Sequence, residues 1–518
     1  MANESAEGSN WGRVLICGGT DWATNGRKER SSGKVPTDLM EPHILRSLCN
    51  VKASKIITGP SANYAIILDI HGAAYLFGRP PAMVQSNGVI SENIPLKISP
   101  LSVGSPEGTK WVNGAAGRSH FLLVDSRGDV WGCGNNIVGQ IGLPVATAVD
   151  KLTKVAGPWV RDPEAKIVQV TAGHTFSLFL TSTGQVYASG SSEFGQLGNG
   201  KTGERLVKAG KIAYDIEVPP RLVQGFENVK IIEIASGNQH SLALDDNGYV
   251  YSWGFAGYSR LGLQDQKDRL ISPLAGSTGQ PYTRFKHIQD VMACKVIKTS
   301  SGGCTHFITT PDPEGGVMTV GFGQGVLYGE LGLGSDSAKS ATKPQKIIPL
   351  SGVDMIDVAG GAFFTLFLAR PNSALSDLDR YPIHINSASL CLVCNTDHEQ
   401  DAPLECERCD QPYHIGCLSP PLSAVPEGEW FCPECALEAD AGPDEPFKPA
   451  LGITIPKVAN GKKGAKQDAV EAGDNPEAPV SATDAALTPS KPVSGNKRSW
   501  EEEKSVQGSG KKPRKSKG

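Results

Sequence analysis

No run in this sequence approaches the roughly 20 consecutive apolar residues that a membrane span requires. The opening residues, MANESAEGSN, also lack the hydrophobic segment that heads a secreted precursor. A membrane contact or an exported protein is therefore not expected. Disulfide patterning is missing as well. Of the 12 cysteines, Cys17, Cys49, Cys133, Cys294 and Cys304 are scattered, and the other seven crowd between Cys391 and Cys435. This reads as a soluble protein of a reducing compartment. Positive charge is scarce in that crowded stretch, where Arg408 is the only Lys or Arg against nine acidic residues, although the 518-residue chain has a net charge of only −4. Such a surface repels phosphate, so the stretch is not expected to make base-specific or other direct nucleic-acid contacts. With 39% hydrophobic residues and 60 glycines, the chain suits a large, turn-rich folded body.

Residues 11–370 repeat themselves. One half of the repeat is an apolar strand after a glycine: GPSANYAIIL from Gly59, GRSHFLLV from Gly117, GHTFSLFL from Gly173, GNQHSLAL from Gly237, GCTHFITT from Gly303, and GAFFTLFL with Gly360 just ahead. The other half is a turn glycine and an aromatic strand ending in glycine, as in DSRGDVWGCG (125–134), TSTGQVYASG (181–190) and DDNGYVYSWG (245–254). Asp, Ser or Asn beside Gly between apolar runs makes a tight hairpin. Glycine at the strand ends lets backbones crowd, as they must near the axis of a radial array. The aromatic strand is followed by Gly139-Gln140-Ile141-Gly142, Gly195-Gln196-Leu197-Gly198 and Gly329-Glu330-Leu331-Gly332, whose apolar residue is expected to tuck under the next sheet. Units of about 60 residues, all strand and turn, predict a mainly β fold, a β-propeller of four-stranded blades.

The two ends predict closure. Gly12-Arg13-Val14-Leu15-Ile16-Cys17-Gly18 is an aromatic-strand half without a first half, and 355–368 is a first half without a second. A blade shared between them removes two exposed edges, giving six blades closed by the N-terminal strand. His120, His240 and His306 fall in one slot of the repeat, which Phe176 and Phe363 fill elsewhere; this favours packing over metal ligation or catalysis. The repeats resemble those of the regulator of chromosome condensation family, closest to its telophase-disk branch, through Cys17-Gly18-Gly19-Thr20-Asp21-Trp22, Tyr251-Ser252-Trp253-Gly254-Phe255 and Tyr328-Gly329-Glu330-Leu331-Gly332. The resemblance implies seven blades, one more than counted, and Leu263–Lys295 is too short for a full seventh.

Soft ligands define the stretch 391–435: Cys391-x2-Cys394, Cys406-x2-Cys409, His414-x2-Cys417 and Cys432-x2-Cys435. Eight ligands make two closed, structural Zn²⁺ sites with no position left for a reactive water. So short a stretch needs the metal to fold. Histidine in fifth place, with Trp430 two residues before Cys432, is similar to the plant homeodomain (PHD) finger rather than the RING finger of ubiquitin ligases. That resemblance implies a cross-brace, one zinc on Cys391, Cys394, His414 and Cys417 and the other on Cys406, Cys409, Cys432 and Cys435, with Trp430 in the core. It also implies a ligand, the N-terminal tail of histone H3, adding a strand beside Leu404-Glu405. Trimethyl-lysine needs an aromatic cage, and neither Pro412, before Tyr413, nor the loop 395–403 supplies an aromatic. Asp397, Glu399 and Asp401 suit an unmodified ammonium instead. By the same resemblance Pro426 and Gly428 present carbonyls to the free amine, and Glu407 and Asp410 face the arginine at the second tail position.

Residues 371–390 form a linker short enough to keep the two modules close, yet they are expected to move relative to each other. Residues 1–10 and the tail 436–518 are expected to be disordered. Lys497-Arg498 and Lys511-Lys512-Pro513-Arg514-Lys515 have the spacing of a bipartite nuclear-import signal for an import receptor. The expectation is a nuclear, chromatin-associated binding protein, not an enzyme, whose propeller is an interaction scaffold. The alternative is a guanine-nucleotide exchange factor or regulator for a small GTPase.

Overall fold

The structure, a computed structural model, describes residues 10–20, 38–81, 95–207, 210–247, 250–255, 298–302, 305–313, 316–323, 327–337, 340–383, 385–396, 403–426, 428–439 and 442–444. The chain divides into two compact units, Met1–Val458 and Ala459–Gly518. All described residues belong to the first. The segment 263–295, most of the tail and the import signal lie outside them. Among the described residues no helix is long and apolar enough to cross a membrane.

Each repeat folds locally for a visible reason. The turn aspartate holds the hairpin: Asp125 Oδ1 accepts from the Arg127 and Asp129 amides at 3.0 Å each, while Oδ2 accepts from Trp131 Nε1 at 3.2 Å. Asp69 does the same with the Gly72 and Ala73 amides and the Tyr75 hydroxyl. The aromatic six residues after the aspartate thus caps the turn from which its own strand starts. In the Gly-Gln/Glu-apolar-Gly loops the long polar side chain closes the turn, and the backbone carbonyl bonds the next sheet. Gln140 Oε1 accepts from the Val138 amide at 3.1 Å, and its carbonyl accepts from Ser177 Oγ at 2.7 Å. Glu330 repeats this with the Tyr328 amide and Thr365 Oγ1.

Among the described residues the result is a six-bladed, propeller-like arrangement of antiparallel sheets. The first blade runs Ala53–Ile57, Tyr64–Asp69, Ala74–Gly78, Leu96–Ile98, and the second Trp111–Ala116, His120–Asp125, Val130–Asn136, Ala146–Val155. The third comprises Ile167–Ala172, Phe176–Thr181, Val186–Ser191 and Ile216–Leu222, and the fifth Lys298–Ser301, Thr305–Pro311, Val317–Gly323 and Ala341–Lys346. Between them the fourth has three described strands, Ile231–Ser236, His240–Asp245 and Val250–Gly254. Apolar layers form between neighbouring sheets. Ile141 packs with Phe179, Leu197 with Trp253, and Leu331 with Phe367, each loop residue under the following sheet.

Two expectations are corrected. Four of the blades have the expected four strands, but closure by the N-terminal strand is not what forms, because the sheets are neither closed nor curled on themselves. Arg13–Gly18 is the middle strand of an open, five-stranded terminal blade, between Phe364–Ala369 and Leu39–Leu45. All six of its residues are buried, so it belongs inside a sheet, and the far edge is extended by Arg380–Tyr381, parallel to Ile44 and Leu45. The second correction is one of register. The residues opposite the strand-end glycines are His120, Phe176, His240, Thr305 and Phe364. In the fifth blade the repeat therefore starts from Gly302, whose amide bonds Thr305 as that of Gly117 bonds His120. His306 turns outward to stack on Phe322. His120 is fully buried, bonded to Ser177 Oγ at 2.9 Å, and burial pulls its imidazole down to about 3. The need for glycine near the axis is steric: a Cβ on Gly117 would lie 2.7 Å from the Gly173 carbonyl oxygen, and one on Gly360 would lie 2.5 Å from the Gly302 Cα.

Candidate metal centre

The finger is built from two short strands, Leu404–Glu405 against Pro412–Tyr413, a 3-10 turn at Ile415–Cys417 and a helix at Pro433–Ala439. So little regular structure leaves the fold to its cysteine turns. Asn395 and Asp410, each just after a Cys-x2-Cys pair, take positive φ of 54° and 50°. Asn and Asp tolerate this region better than other residues with a side chain. Their amides bond back to the Cys391 and Cys406 carbonyls at 2.8 Å, which folds each pair into a chelating knuckle.

Two groups of ligand atoms result, Cys391, Cys394, His414 and Cys417, and Cys406, Cys409, Cys432 and Cys435, with the atoms of each within 4.8 Å of one another. Cys409 Sγ and Cys432 Sγ are 3.8 Å apart. Two thiolates each about 2.3 Å from a tetrahedral zinc stand about 3.8 Å apart, so the spacing fits the ion. His414 turns Nδ1 toward Cys394 and Cys417, at 3.3 and 3.9 Å. Backbone amides of His414 and Cys432 donate to the sulfurs of Cys391 and Cys406 at 3.3 Å. Such donors fix ligand orientation. Both groups are closed sets of four, suited to structural Zn²⁺. Trp430 lies in the finger's core with Leu418, Leu422 and Tyr413, its ring 5.7 Å edge-on from that of Tyr413.

The finger does not hang free. Arg13 Nε pairs with Glu429 Oε2 at 3.0 Å, Arg46 Nη1 with Asp410 Oδ1 at 2.5 Å, and Arg380 Nη2 with Glu407 Oε2. Asn50 Nδ2 donates to the Cys435 carbonyl at 2.9 Å, in the interior. Phe431 packs into the apolar layer of the terminal blade as well as the finger's own core. The Arg13 guanidinium lies 5.4 Å from the Phe431 ring centre and 4.8 Å from that of Trp11. Gln411 pins the linker, bonding the Ala388 amide at 3.0 Å and the Asn386 carbonyl. Cys49 is buried beside this contact, and burial pushes its thiol up to about 12, so it stays protonated and outside the ligand set. The expected mobility between modules is therefore replaced by a docked interface.

Of the residues read as tail-binding, Leu404 is half-buried, Glu405 exposed, Pro426 half-buried and Gly428 exposed; Glu407 and Asp410 are engaged by arginines, and Asp397, Glu399 and Asp401 lie outside the described residues. Sequence reasoning missed Arg13, Arg46, Asn50 and Arg380. Their partners lie as far as 416 residues away, beyond any local pattern.

Comparison with known proteins agrees with both modules. The regulator of chromosome condensation (RCC1) repeat models match residues 183–244 and 314–368, and 111–140, 167–196 and 231–259, and the PHD-finger model matches 391–435. The chain is 28% identical over 416 residues to the Protein RCC2 homolog of Xenopus laevis, covering 69% of this chain and 78% of that protein. Against human Protein RCC2 the identity is 28% over 419 residues, covering 70% and 77%. Among solved structures, that of Prp20p from Saccharomyces cerevisiae, described with its binding properties to Gsp1p and histones, is 18% identical with a TM-score of 0.42, covering 70% of this chain and 92% of that one. A run of repeats joined to a structural zinc module is a binding architecture, not a catalytic one.

Proposed function

We propose that this chain, an RCC1-repeat protein fused to a C-terminal PHD finger, is a nuclear, chromatin-associated binding protein whose finger takes the N-terminal tail of histone H3. One observation carries this reading. The finger's sole basic side chain, Arg408, is buried and paired with Glu438 at 2.5 Å, so it does not offset the acids at the surface. A lysine- and arginine-rich peptide complements such a surface, and nucleic acid does not. Among the described residues Leu404–Glu405 is paired on one side only, to Pro412–Tyr413, which leaves an edge for an added strand. The contacts proposed are main-chain bonds along 404–405, carbonyls around Pro426 and Gly428 for the amine, and Asp397, Glu399 and Asp401 for an unmethylated lysine. Titrating the intact chain with H3 tail peptides, one unmodified and one trimethylated on its first lysine, tests this. Tighter binding of the unmodified peptide is expected, and a preference for the trimethylated one overturns it.

A second reading concerns the propeller as a regulator or exchange factor for a small GTPase. A two-stranded hairpin, Arg205–Leu206 against Ile212–Ala213, projects from the third blade. It exposes Leu206 at 78% and Ile212 at 52%, beside Arg205, which pairs with Asp215 at 2.9 Å. Exposed apolar side chains on a hairpin suit a protein partner. Nucleotide release from nuclear and Rho-type GTPases, with Leu206→Ser as control, decides it: acceleration lost in the variant supports the reading, and no acceleration removes it. The basic pairs Lys497-Arg498 and Lys511-Lys512, with Arg514 and Lys515, remain the proposed import signal.

A further inference from the structure

Three carboxylates of the finger, Glu407, Asp410 and Glu429, each meet one guanidinium of the terminal blade, and no lysine among the described residues takes part. The pairs are shielded to different degrees: the side chains of Arg13 and Glu429 are 7% and 11% exposed, Arg46 is 6% exposed against 31% for Asp410, and Arg380 and Glu407 are 18% and 23% exposed. These are placed groups rather than chance surface contacts. Arg46 is held from behind by its Nε bond to the Pro382 carbonyl at 3.0 Å, and Arg13 by its Nη1 bond to the Val51 carbonyl at 3.0 Å. Arg380 sits in the strand that extends the blade, opposite Ile44. The Glu407 backbone is fixed too, its amide on the Trp430 carbonyl at 3.0 Å and its carbonyl taking the Cys49 thiol. Planar guanidinium groups match carboxylates in a way that ammonium groups do not.

We infer that Glu407, Asp410 and Glu429 form a guanidinium-binding face that the chain fills in cis with Arg380, Arg46 and Arg13, so that an arginine-bearing basic segment from outside competes with the propeller for it. Resting on the tail-binding reading, this adds its regulation: the exposed edge 404–405 is open at rest, while the arginine-binding acids are closed until the finger lifts from the blade. Apparent affinity for an outside ligand is then the intrinsic affinity reduced by the fraction of chains with the finger lifted.

The test uses the full-length chain and the variant Arg46→Gln/Arg380→Gln, followed by amide hydrogen exchange and by titration with the unmodified H3 peptide. In the variant, exchange over 44–51 and 404–413 is expected to rise, and peptide affinity to increase about tenfold or more as the closed fraction falls. In the unaltered chain, saturating peptide is expected to raise exchange over 44–51, on the blade side, while slowing it over 404–413. The charge-reversed pair Arg46→Asp/Asp410→Arg guards against simple unfolding of the blade, because it restores protection only where the two groups meet. Exchange unchanged by the double substitution, or no recovery in the reversed pair, overturns the docking. Exchange that rises without a gain in affinity overturns the competition. Failure of the peptide to bind either form refutes the tail-binding reading, and the cis contact is then decided by the exchange result alone.

Discussion

Arg408 is the most informative single position in the finger. Its side chain is 1% exposed, Nη1 lies 2.5 Å from Glu438 Oε2 and 3.9 Å from Cys435 Sγ. Four thiolates around one Zn²⁺ carry two excess negative charges, whereas three thiolates and a histidine carry one. The guanidinium therefore sits beside the more negative of the two centres. Two unit charges about 4 Å apart interact by about 4 kcal/mol at an effective dielectric of 20. Burial of the cation and its pairing with Glu438 offset much of that. The residual effect is expected in the range of groups that tune a metal from outside its ligand shell, about 10- to 100-fold in affinity, or about 1.4–2.8 kcal/mol. Arg408→Gln should weaken one zinc per chain by that factor and leave the other unaltered, read as two phases of zinc transfer from the intact protein to a chromophoric chelator. Glu438→Gln should hold or strengthen the same site, because the guanidinium is then free to serve the sulfurs alone. Equal weakening of both sites, or none, refutes the electrostatic account and leaves Arg408 as packing only.

Three further outcomes concern the blades and the tail. His120 titrates at about 3 in the fold against 6.5 ordinarily, so the fold favours the neutral ring. Its contribution is complete above pH 6.5 and lost as pH falls from there toward 3. His120→Phe, the residue that Phe176 provides in the next blade, should flatten the fall of melting temperature over that window, and an unchanged slope contradicts it. Gly360→Ala forces a Cβ to 2.5 Å from the Gly302 Cα. It should cost about 1–3 kcal/mol, seen as a lower denaturant midpoint at constant slope; no shift refutes the crowding. Residues 490–518 fused to a cytoplasmic reporter should carry it into the nucleus, and a reporter that stays outside removes the import proposal.

Local chemistry was the legible part of this chain. Asp125 and Trp131 announce a hairpin because turn and cap lie six residues apart, and the cysteine pairs announce a metal because a chelate needs its ligands close in sequence. Register was less legible: with consecutive glycines at Gly302 and Gly303, sequence offers two starts for the strand, and only pairing with Gly323 selects Thr305 over His306. The fifth strand of the terminal blade was missed for a related reason: Arg380–Tyr381 is a strand of two residues, too short for any period. Least legible were the arginines. Arg13 reads as one charge in an apolar run, and nothing within hundreds of residues indicates that Glu429 will meet it. Long-range electrostatic pairs are set by the assembled fold, not by the segment that carries them.

The finger anchors the account, and its metal content can be counted. Elemental analysis of the intact, purified chain should return two zinc atoms per molecule, one for Cys391, Cys394, His414 and Cys417 and one for Cys406, Cys409, Cys432 and Cys435. A chain carrying one zinc or none, with its cysteines reduced, would contradict it.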